Sequence, residues 1–405
     1  MKTVAVITEY NPFHYGHLHQ LEQIRNALGN DTRIIAIMSG NFTQRGELAV
    51  ADKSIRAKAA IDGGVDLILE LPFPYSSSSA EFFAYGGVCI ANALGVVDVL
   101  AFGSECGDIS LLTEVADGTL SRKFQDELKR LQHSSEHKEL GYPSLCELAL
   151  SSTVCIDCKG IFTPNNILAL EYIKALKRVR STIAPMTFRR ISSDYNCSEV
   201  IDGAIQSAGA IRPLFTNSVS EALQYIPETA RFAYSEAARD QLLPTVPEKL
   251  DSAIISFLRL NSPDAMKDIH DAKGGLYNRL HDLSFEAASI SALTALAQTK
   301  KYTAARIRRA ILNSYFGVTS SVIRSAPSYT QLLGMNKTGR ELLKEIKKKT
   351  DFPIITKPAS YKEYGEPVIN QKTLSDKADS IFALAQKKTI SGRFSLRFTP
   401  YVKKQ

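Results

Sequence analysis

Residues 4–17 read VAVITEYNPFHYGH, an apolar run that ends in a polar turn. The run from Val4 to Thr8 is apolar and mostly β-branched, which predicts a buried β-strand. Apolar residues recur at helical spacing from Leu18 to Leu28, so a helix is predicted to begin close to His17. The chain therefore opens with a strand, a polar turn and a helix.

The same alternation of strand and helix continues to about residue 105. Further strands are predicted at Arg33–Met38, Val65–Leu69 and Val97–Phe102, and helices at Asp52–Asp62 and Ala80–Leu94. Strands that are apolar throughout and separated by helices predict a parallel sheet with helices on both faces. We therefore expect a Rossmann-like α/β fold that binds its ligand at the carboxyl ends of the strands.

The rest of the chain is less regular. A helix is predicted from Thr163 to Arg180. From Thr216 to about Leu343 the pattern is mostly helical, and short apolar runs after Asp351 fit a small sheet. A length of 405 residues favours two domains, so we predict an α/β domain over 1–214 and a mainly helical, basic domain over 215–405.

Composition excludes several classes of protein. With 44% hydrophobic and 22% charged residues, the chain is globular rather than disordered or fibrous. The apolar stretch from Gly86 to Gly103 is interrupted by Asn92 and Asp98, whereas a membrane span needs about 20 uninterrupted residues. The apolar run at the N-terminus is too short for a signal peptide. We expect a cytoplasmic protein with no membrane partner.

The six cysteines are too few and too scattered for a disulfide framework. Cys155 and Cys158 form a CxxC pair, but a structural zinc needs two more ligands at comparable spacing. Only the isolated Cys146 and Cys197 are available for that role. Reduced thiols and no protein-held metal are therefore expected.

Charge is distributed unevenly along the chain. Residues 300–405 contain 22 Lys and Arg against 7 Asp and Glu, a net charge of +15, although the whole chain carries only +7. Residues 1–299 are therefore acidic, at −8. A basic end beside an acidic one indicates contact with a polyanion, although a solvated lysine-rich surface would also explain the lysines.

The first basic cluster lies on a predicted helix and contains Lys300, Lys301, Arg306, Arg308 and Arg309. Tyr302, Arg306 and Arg309 follow one another at intervals of four and three residues, so the ring and these two cations can lie on one helix face. Cations beside an aromatic ring suit an RNA backbone with a stacked base. A second basic run consists of Lys337, Arg340, Lys344, Lys347, Lys348 and Lys349. We therefore predict RNA rather than DNA as the partner.

His14 and His17 lie three residues apart at the first predicted turn, with Gly16 between them. Gly16 has no side chain, so a flat base or a phosphate can approach the backbone closely. The first turn of the following helix offers N–H groups and a positive dipole end to an anion. Two imidazoles there can donate to phosphate oxygens as the α-phosphorus of a nucleotide is attacked. The pattern predicts adenylyl transfer with His14 and His17 as catalytic residues; two histidines packed in a core are the alternative.

Residues 11–17, NPFHYGH, resemble the HIGH signature of nucleotidyltransferases and class I aminoacyl-tRNA synthetases. More narrowly, the chain resembles the bacterial tRNA(Met) cytidine acetate ligase family over nearly its whole length. The segments that carry this resemblance are MSGNFTQRG (38–46), DLILELP (66–72), FGSE (102–105), PNNIL (164–168) and KYTAAR (301–306). The resemblance implies that acetate attacks ATP to give acetyl-adenylate and pyrophosphate. The acetyl group then passes to N4 of the wobble cytidine of elongator tRNA(Met), and AMP is released.

The resemblance also implies which residues bind ATP. The stretch from Ile7 to Gln20 would surround the nucleotide, and later residues would contact its base and phosphates. The implied set is Ile7, Thr8, Glu9, Tyr10, Asn11, Pro12, Phe13, His14, Gly16, His17, Gln20, Gly103, Asn165, Arg190, Ser207 and Arg212. Mg²⁺ is expected to arrive with the ATP, held mainly by phosphates and water, so no protein ligand is predicted.

The sequence departs from the family pattern at two positions. Gly209 stands where a threonine is usual, and Asn196 stands where a histidine is expected after Tyr195. These departures suggest a tRNA-binding protein with a decayed nucleotide site as one alternative. The other is a plain adenylyltransferase for a small phosphate or carboxylate, which explains the N-terminal half but leaves the basic half without a role.

A polar cluster follows the second predicted strand and consists of Asn41, Gln44, Arg45, Asp52, Lys53 and Arg56. It would bind acetate or the tRNA end in one interpretation. In the other, Asp52, Lys53 and Arg56 form an ordinary exposed first helical turn.

Overall fold

The computed structural model describes residues 1–134, 136–137, 140–154, 158–190 and 206–404. Cys155 and the departure at Asn196 lie outside the described residues. The strands are β1 Thr3–Thr8, β2 Arg33–Ser39, β3 Leu67–Leu71, β4 Val99–Ser104, β5 Ala184–Arg189, β6 Thr330–Met335, β7 Ile354–Ile355 and β8 Tyr401–Val402.

Helices connect the first strands and form most of the chain after residue 206. They are α1 Tyr15–Leu28, α2 Lys53–Asp62, α3 Ala80–Ala93, α4 Ile109–Leu120, α5 Arg122–His133, α6 Tyr142–Thr153, α7 Pro164–Arg178, α8 Ala208–Asn217, α9 Val219–Gln224, α10 Glu228–Arg239, α11 Asp251–Leu260, α12 Leu276–Ser284, α13 Ile290–Ala297, α14 Ala304–Phe316, α15 Ser320–Arg324, α16 Lys337–Lys349 and α17 Glu366–Phe382.

One sheet organises the molecule, with the strand order β5-β4-β1-β2-β3-β6-β7 and β8 paired to β6. The strands β1 to β5 are all parallel to one another, which confirms the predicted Rossmann-like α/β fold. The chain leaves β1 toward β2 on one side and later returns to place β4 on the other side. The order therefore reverses at β1, and a ligand crevice is expected at the carboxyl ends of β1 and β4.

The strand β6 corrects the sequence analysis, because residues 330–335 were predicted to be helical. The segment TQLLGM is a short apolar run, and such a run cannot be assigned to a buried strand or a buried helix from periodicity alone. Antiparallel pairing with β3 shows that this segment is a strand and not a helix. The short strands of the tail pair with β6 instead of forming a sheet of their own. Residues 330–404 thus share the sheet with the N-terminal strands, so a domain starting at residue 215 is not separate along its whole length.

Alternate residues of β1 pack into different cores. Val4 and Val6 lie in a cluster with side chains of α1, α2 and α10, whereas Ala5 lies in a cluster with α3, α4 and α7. Helices therefore cover both faces of the sheet, as predicted. A third cluster fills the space among α11, α12, α13, α14 and α17. Within the described part of the chain, no helix has both the length and the apolar character needed to cross a bilayer.

Candidate active site

A cavity of about 170 Å³ lies at the carboxyl ends of β1 and β4, where the strand order reverses. It brings together most of the residues predicted to bind ATP. These are Ile7, Thr8, Glu9, Tyr10, Asn11, His14, His17, Gln20, Gly103, Asn165, Arg190, Ser207 and Arg212. Gly16 lines a smaller adjoining cavity of about 50 Å³ together with His14 and His17. Pro12 and Phe13 line neither cavity and are buried behind the turn.

His14 and His17 are held by hydrogen bonds at the start of α1. His14 is the N-cap residue, and its Nδ1 accepts the backbone N–H of Gly16 at 3.0 Å. The Nδ1 of His17 accepts the backbone N–H of His14 at 3.2 Å. Because both Nδ1 atoms are acceptors, the neutral rings carry their proton on Nε2. The cap thus fixes two Nε2–H donors beside each other, with ring centroids 4.0 Å apart.

Both imidazoles are neutral at pH 7. Burial, together with the nearby Arg190 and Arg212, lowers the pKa of His14 to about 3. Burial, and then His14 and Arg190, lower the pKa of His17 well below its usual value. The rings therefore act through N–H donation, and the positive charge at this end of the cavity comes from the arginines.

The turn before α1 is strained at Tyr10. This residue is buried and has a φ of 46°, in the left-handed region that residues other than glycine rarely adopt. Its ring packs edge-on against Phe13 and His17, with centroids 5.0 and 4.8 Å away. The hydroxyl of Tyr234 accepts the N–H of Phe13 at 2.8 Å, so α10 supports the turn from below. The strain is thus maintained by packing that also sets the orientation of His17.

Arg56 corrects one of the two interpretations of the polar cluster, because its side chain is completely buried. Its guanidinium donates to the carbonyls of Ala51 at 2.9 Å, Glu9 at 2.6 Å and Ser39 at 3.1 Å, and also to that of Gly40. The carbonyls of Glu9, Ser39 and Gly40 lie at the carboxyl ends of β1 and β2. Arg56 therefore fixes the backbone from which the signature turn starts and is no exposed helical residue.

Lys53 is buried as well, and its ammonium contacts Glu70 and Asp379 at 2.7 Å each. Burial alone would lower the pKa of Lys53, but Asp379 and Glu70 raise it, so the lysine is charged. Asn41 joins this group by donating to Asp379 at 2.9 Å. Lys53, Glu70 and Asp379 connect α2, β3 and α17, so they act in the core. Gln44 and Arg45 of the same polar cluster line the cavity, and ligand binding by them stays a prediction.

Two further helices begin at the cavity. Ser207 caps α8 by accepting the N–H of Ala210 at 3.2 Å, and Arg212, in the next turn, donates to the carbonyl of Asn11 at 3.2 Å. Gly209, the departure from the family pattern, lies in the first turn of α8 and lines the cavity. The free N–H groups and positive dipole end of such a helix suit phosphate.

The third helix, α7, is capped by a carboxylate from the loop after β4. Glu105 accepts from the backbone and side-chain nitrogens of Asn165 at 3.0 and 2.7 Å, and from the N–H of Asn166 at 2.7 Å. A Cβ on Gly103 would lie 2.9 Å from Cγ of Arg190, so a side chain there would displace the arginine. The Arg190 side chain therefore lies across β4 at the mouth of the cavity.

The opposite wall of the cavity is apolar and was missed by the sequence analysis. It consists of Phe83, Phe102, Leu168 and Tyr172. Two of these residues, Phe102 and Leu168, lie inside segments that carry the family resemblance, so part of the signal was present. Phe83 and Tyr172 look like ordinary core positions of amphipathic helices, and only the packing of α3 on α7 brings them to the cavity.

The residues predicted to contact RNA occupy two different environments. Lys300 and Lys301 are exposed. Arg306 donates to the carbonyls of Asp271 and Lys273 at 3.1 and 2.9 Å. The side chain of Arg309 is 12% exposed and donates to the carboxylate of Asp271 at 2.8 Å, so the prediction of an RNA contact does not fit it.

The same helix holds a loop of the cavity. Arg309 also donates to the carbonyl of Gln44 at 3.4 Å, and Arg308 donates to that of Arg45 at 3.1 Å. Tyr302 is buried, with its hydroxyl bonded to Gly274, so it offers no stacking face. We call the loop Thr43–Glu47 the clamp loop; α14 fixes it against the cavity.

The fold and the site define a nucleotidyltransferase of the HIGH type: a parallel sheet reverses order at β1, and two imidazole donors lie at the helix that follows. Residues 1–394 match the model of the HIGH Nucleotidyl Transferase family. The tRNA(Met) cytidine acetate ligase of Thermoanaerobacter sp. (strain X514) is 36% identical over 370 residues, 90% of each chain. That of Caldicellulosiruptor saccharolyticus is 37% identical over 393 residues, 96% of this chain and 95% of the relative.

Solved structures agree with these relatives. Thermotoga maritima TmcAL, in its apo form I, superposes with a TM-score of 0.92 at 30% identity, over 100% of both chains. Its form II, bound with alpha-thio ATP, gives a TM-score of 0.89 at the same identity and coverage. The chain belongs to the tRNA(Met) cytidine acetate ligase family.

Proposed function

We propose that this protein is an ATP-dependent tRNA(Met) cytidine acetate ligase. The observation that carries the proposal is the pair of Nε2–H donors of His14 and His17, fixed by the cap of α1 in a cavity that Arg190 and Arg212 also line. Membership of the family, whose relatives carry this name, supports it. A tRNA substrate supports the expectation of a cytoplasmic protein.

The two sides of the cavity suit the two ends of ATP. The adenine ring would pack against the apolar wall formed by Phe83, Leu168 and Tyr172. The triphosphate would then extend toward the first turns of α1 and α8 and toward Arg212. Neutral imidazoles and helix N-termini stabilise negative charge on phosphate oxygens, and arginine adds a forked cation.

The first step forms a bond between an acetate oxygen and the α-phosphorus and breaks the bond from that phosphorus to the bridging oxygen of pyrophosphate. Negative charge grows on the α-phosphate oxygens and on the leaving group. The Nε2–H groups of His14 and His17 would donate to these oxygens, and because both rings are already neutral no proton has to move first. Acetyl-adenylate and pyrophosphate are the products.

The carboxylates that line the cavity are already paired with other groups and are not arranged as ligands for magnesium. Oε1 of Glu9 accepts the N–H of Gln44 at 2.7 Å, and burial raises the pKa of this residue. Glu47 pairs with Arg308 at 3.0 Å. We therefore expect Mg²⁺ to be held by phosphate oxygens and water, where it would screen the charge of the departing pyrophosphate.

The basic surfaces differ in their distance from this chemistry. In α16, Gly339 packs against the backbone of Asp66, and Lys349 lies beside Gly95. The helix α16 therefore lies along the amino ends of β3 and β4. The cavity lies at the carboxyl ends. Lys300, in contrast, precedes α14, which contacts the clamp loop. We expect tRNA to approach from the α14 side.

The test uses acetate-dependent exchange of pyrophosphate into ATP, followed by transfer of labelled acetate to tRNA. His14→Asn should keep the cap of α1, since asparagine is a favoured N-cap residue, but it removes the imidazole donor. We expect exchange to fall about 100- to 1,000-fold, the usual cost of losing one such donor. His133→Asn, at an exposed position of α5, is the matched control.

Full exchange in both His14→Asn and His17→Asn would refute the assignment of these residues. Wild-type exchange that depends on another small phosphate or carboxylate would favour a plain adenylyltransferase. RNA binding without any ATP binding would favour a decayed nucleotide site. Deleting residues 300–405 is not a useful test, because it would remove β6 from the sheet.

A further inference from the structure

A second cavity, of about 650 Å³, lies beside the ATP cavity. Glu47 and Arg212 line both cavities, so they share a wall. The other walls of the second cavity come from the segment 244–251 and from α13 and α14. Its volume falls within the range of about 300–1,000 Å³ that small-ligand sites occupy.

The shared wall is held rigidly. Phe42 and Leu48 pair across the base of a tight turn, and the carbonyl of Glu47 accepts the N–H of Thr43 at 2.9 Å. Gly46 has a φ of 72° and packs on the backbone of α14, where a Cβ would lie 2.6 Å from the nitrogen of Arg309. Arg308 pairs with the Glu47 carboxylate at 3.0 Å. The Glu47 side chain is 34% exposed and is therefore fixed at the junction while still reachable.

The junction of the two cavities contains a carboxylate, Glu47, together with cationic side chains. Burial raises the pKa of Glu9, and Arg212 lies close enough to oppose that rise. Burial is also the main cause of the lowered pKa of Arg308, and Arg212 lies close enough to add to it. One carboxylate thus lies between cations that face the ATP cavity and a larger cavity with apolar walls such as Ile254 and Ile311. A base with an exocyclic amine fits such a place, since carboxylates accept from the N4 amine of cytosine.

We propose that the second cavity receives the acceptor nucleoside, extruded from an RNA loop, and that Glu47 accepts the proton lost by its exocyclic amine. This proposal rests on the ligase function proposed above. The lone pair of N4 attacks the carbonyl carbon of acetyl-adenylate, and the bond from that carbon to the phosphate oxygen breaks. AMP leaves with the bonding electrons, and one N4 proton passes to the Glu47 carboxylate.

The position of the cavity agrees with an RNA substrate. Gln298 and Ala304 line it, and they flank the exposed Lys300 and Lys301 in sequence. A loop that places one base in the cavity would bring its phosphates near these lysines. Enzymes that act on a base take it out of its stack into a pocket of this kind.

The experiment compares the two half-reactions in the full-length protein. Glu47→Gln keeps a group that can accept from Arg308 but cannot take a proton. We expect single-turnover transfer of acetate to tRNA to fall about 100-fold, within the usual range for general base catalysis, and much more than acetate-dependent exchange. Glu47→Asp should recover part of the transfer, and Glu286→Gln, on an exposed surface, is the control.

The pH profile separates a proton acceptor from a structural role. Transfer by the wild type should show an acidic limb in its pH profile, as general base catalysis requires, and Glu47→Gln should lack that limb. Equal losses in exchange and transfer, or transfer at the wild-type rate, would overturn the assignment of Glu47.

The cavity itself is tested with Ala295→Phe, which places a ring in it. We expect the KM for tRNA to rise about tenfold or more, because the acceptor base is excluded. An unchanged KM would mean that the base binds elsewhere. If the wild type shows neither exchange nor transfer, the ligase function fails, which is distinct from the failure of Glu47 or of the cavity alone.

Discussion

Replacing His14 with asparagine separates two properties of this side chain. Asparagine can accept the backbone N–H that Nδ1 of His14 accepts from Gly16, so α1 keeps its cap. It does not titrate, so the variant lacks the proton linkage of a buried imidazole. The difference between wild type and variant in the pH dependence of stability therefore reports on the titration of His14.

Burial holds the folded-state pKa of His14 at about 3, whereas an imidazole in the unfolded chain titrates near 6.5. Between these values the unfolded state binds more protons, so the wild type loses stability as the pH falls from 6.5 toward 3. One full proton corresponds to about 1.4 kcal/mol per pH unit. Allowing for partial protonation near pH 6.5, His14→Asn should gain about 2 kcal/mol relative to wild type between pH 6.5 and 4.5.

Urea unfolding followed by circular dichroism measures this difference, since the chain contains no tryptophan. Equal m-values at each pH would show that the variant changes stability and not the extent of unfolding. His133→Asn, at an exposed position, should follow the wild type. Stability curves of wild type and His14→Asn that remain parallel down to pH 4.5 would refute the view that His14 is buried in its neutral form.

Three further predictions concern the surroundings of the site. Arg56→Met should lower the free energy of unfolding by about 3 kcal/mol or more, because several buried carbonyls lose their donor; chemical denaturation measures this. Gly46→Ala should cost about 1–3 kcal/mol and raise the KM for ATP. Gly317→Ala is its control, since that residue has a similar φ of 69° but open space around it; equal effects on KM would contradict the role of the contact with α14. Lys300→Glu should weaken tRNA binding and reduce the slope of log affinity against log salt by about one, whereas Lys347→Glu should leave both unchanged in a filter-binding titration.

The N-terminal half of the fold could be predicted because its strands are apolar throughout and its helices have clear periodicity. The strand at Leu67–Leu71, for example, was placed within two residues of its observed bounds. The strand at Thr330–Met335 could not be predicted, because its assignment depends on pairing with a segment more than 250 residues earlier in the chain. Local sequence contains no information about that partner.

The candidate site shows the same division. The turn around His14 and His17 has a local signature, so its place in the cavity could be predicted. Arg309 was predicted to contact RNA, and Arg56 either to bind a ligand or to lie on an exposed helical turn, because cations usually lie at the surface. Their burial follows from backbone carbonyls of distant segments that need donors, and a sequence pattern does not reveal those carbonyls.

Gly46 packs directly against the backbone of α14, with no space between them for a side chain. A displacement of that helix by one ångström, on docking of a large polyanion, would carry the neighbouring wall of the nucleotide compartment with it. Thermodynamic reciprocity then requires that whatever factor the polyanion imposes on nucleotide affinity, the nucleotide imposes on polyanion affinity. Through this one closely packed glycine, binding of each substrate would change the affinity of the protein for the other.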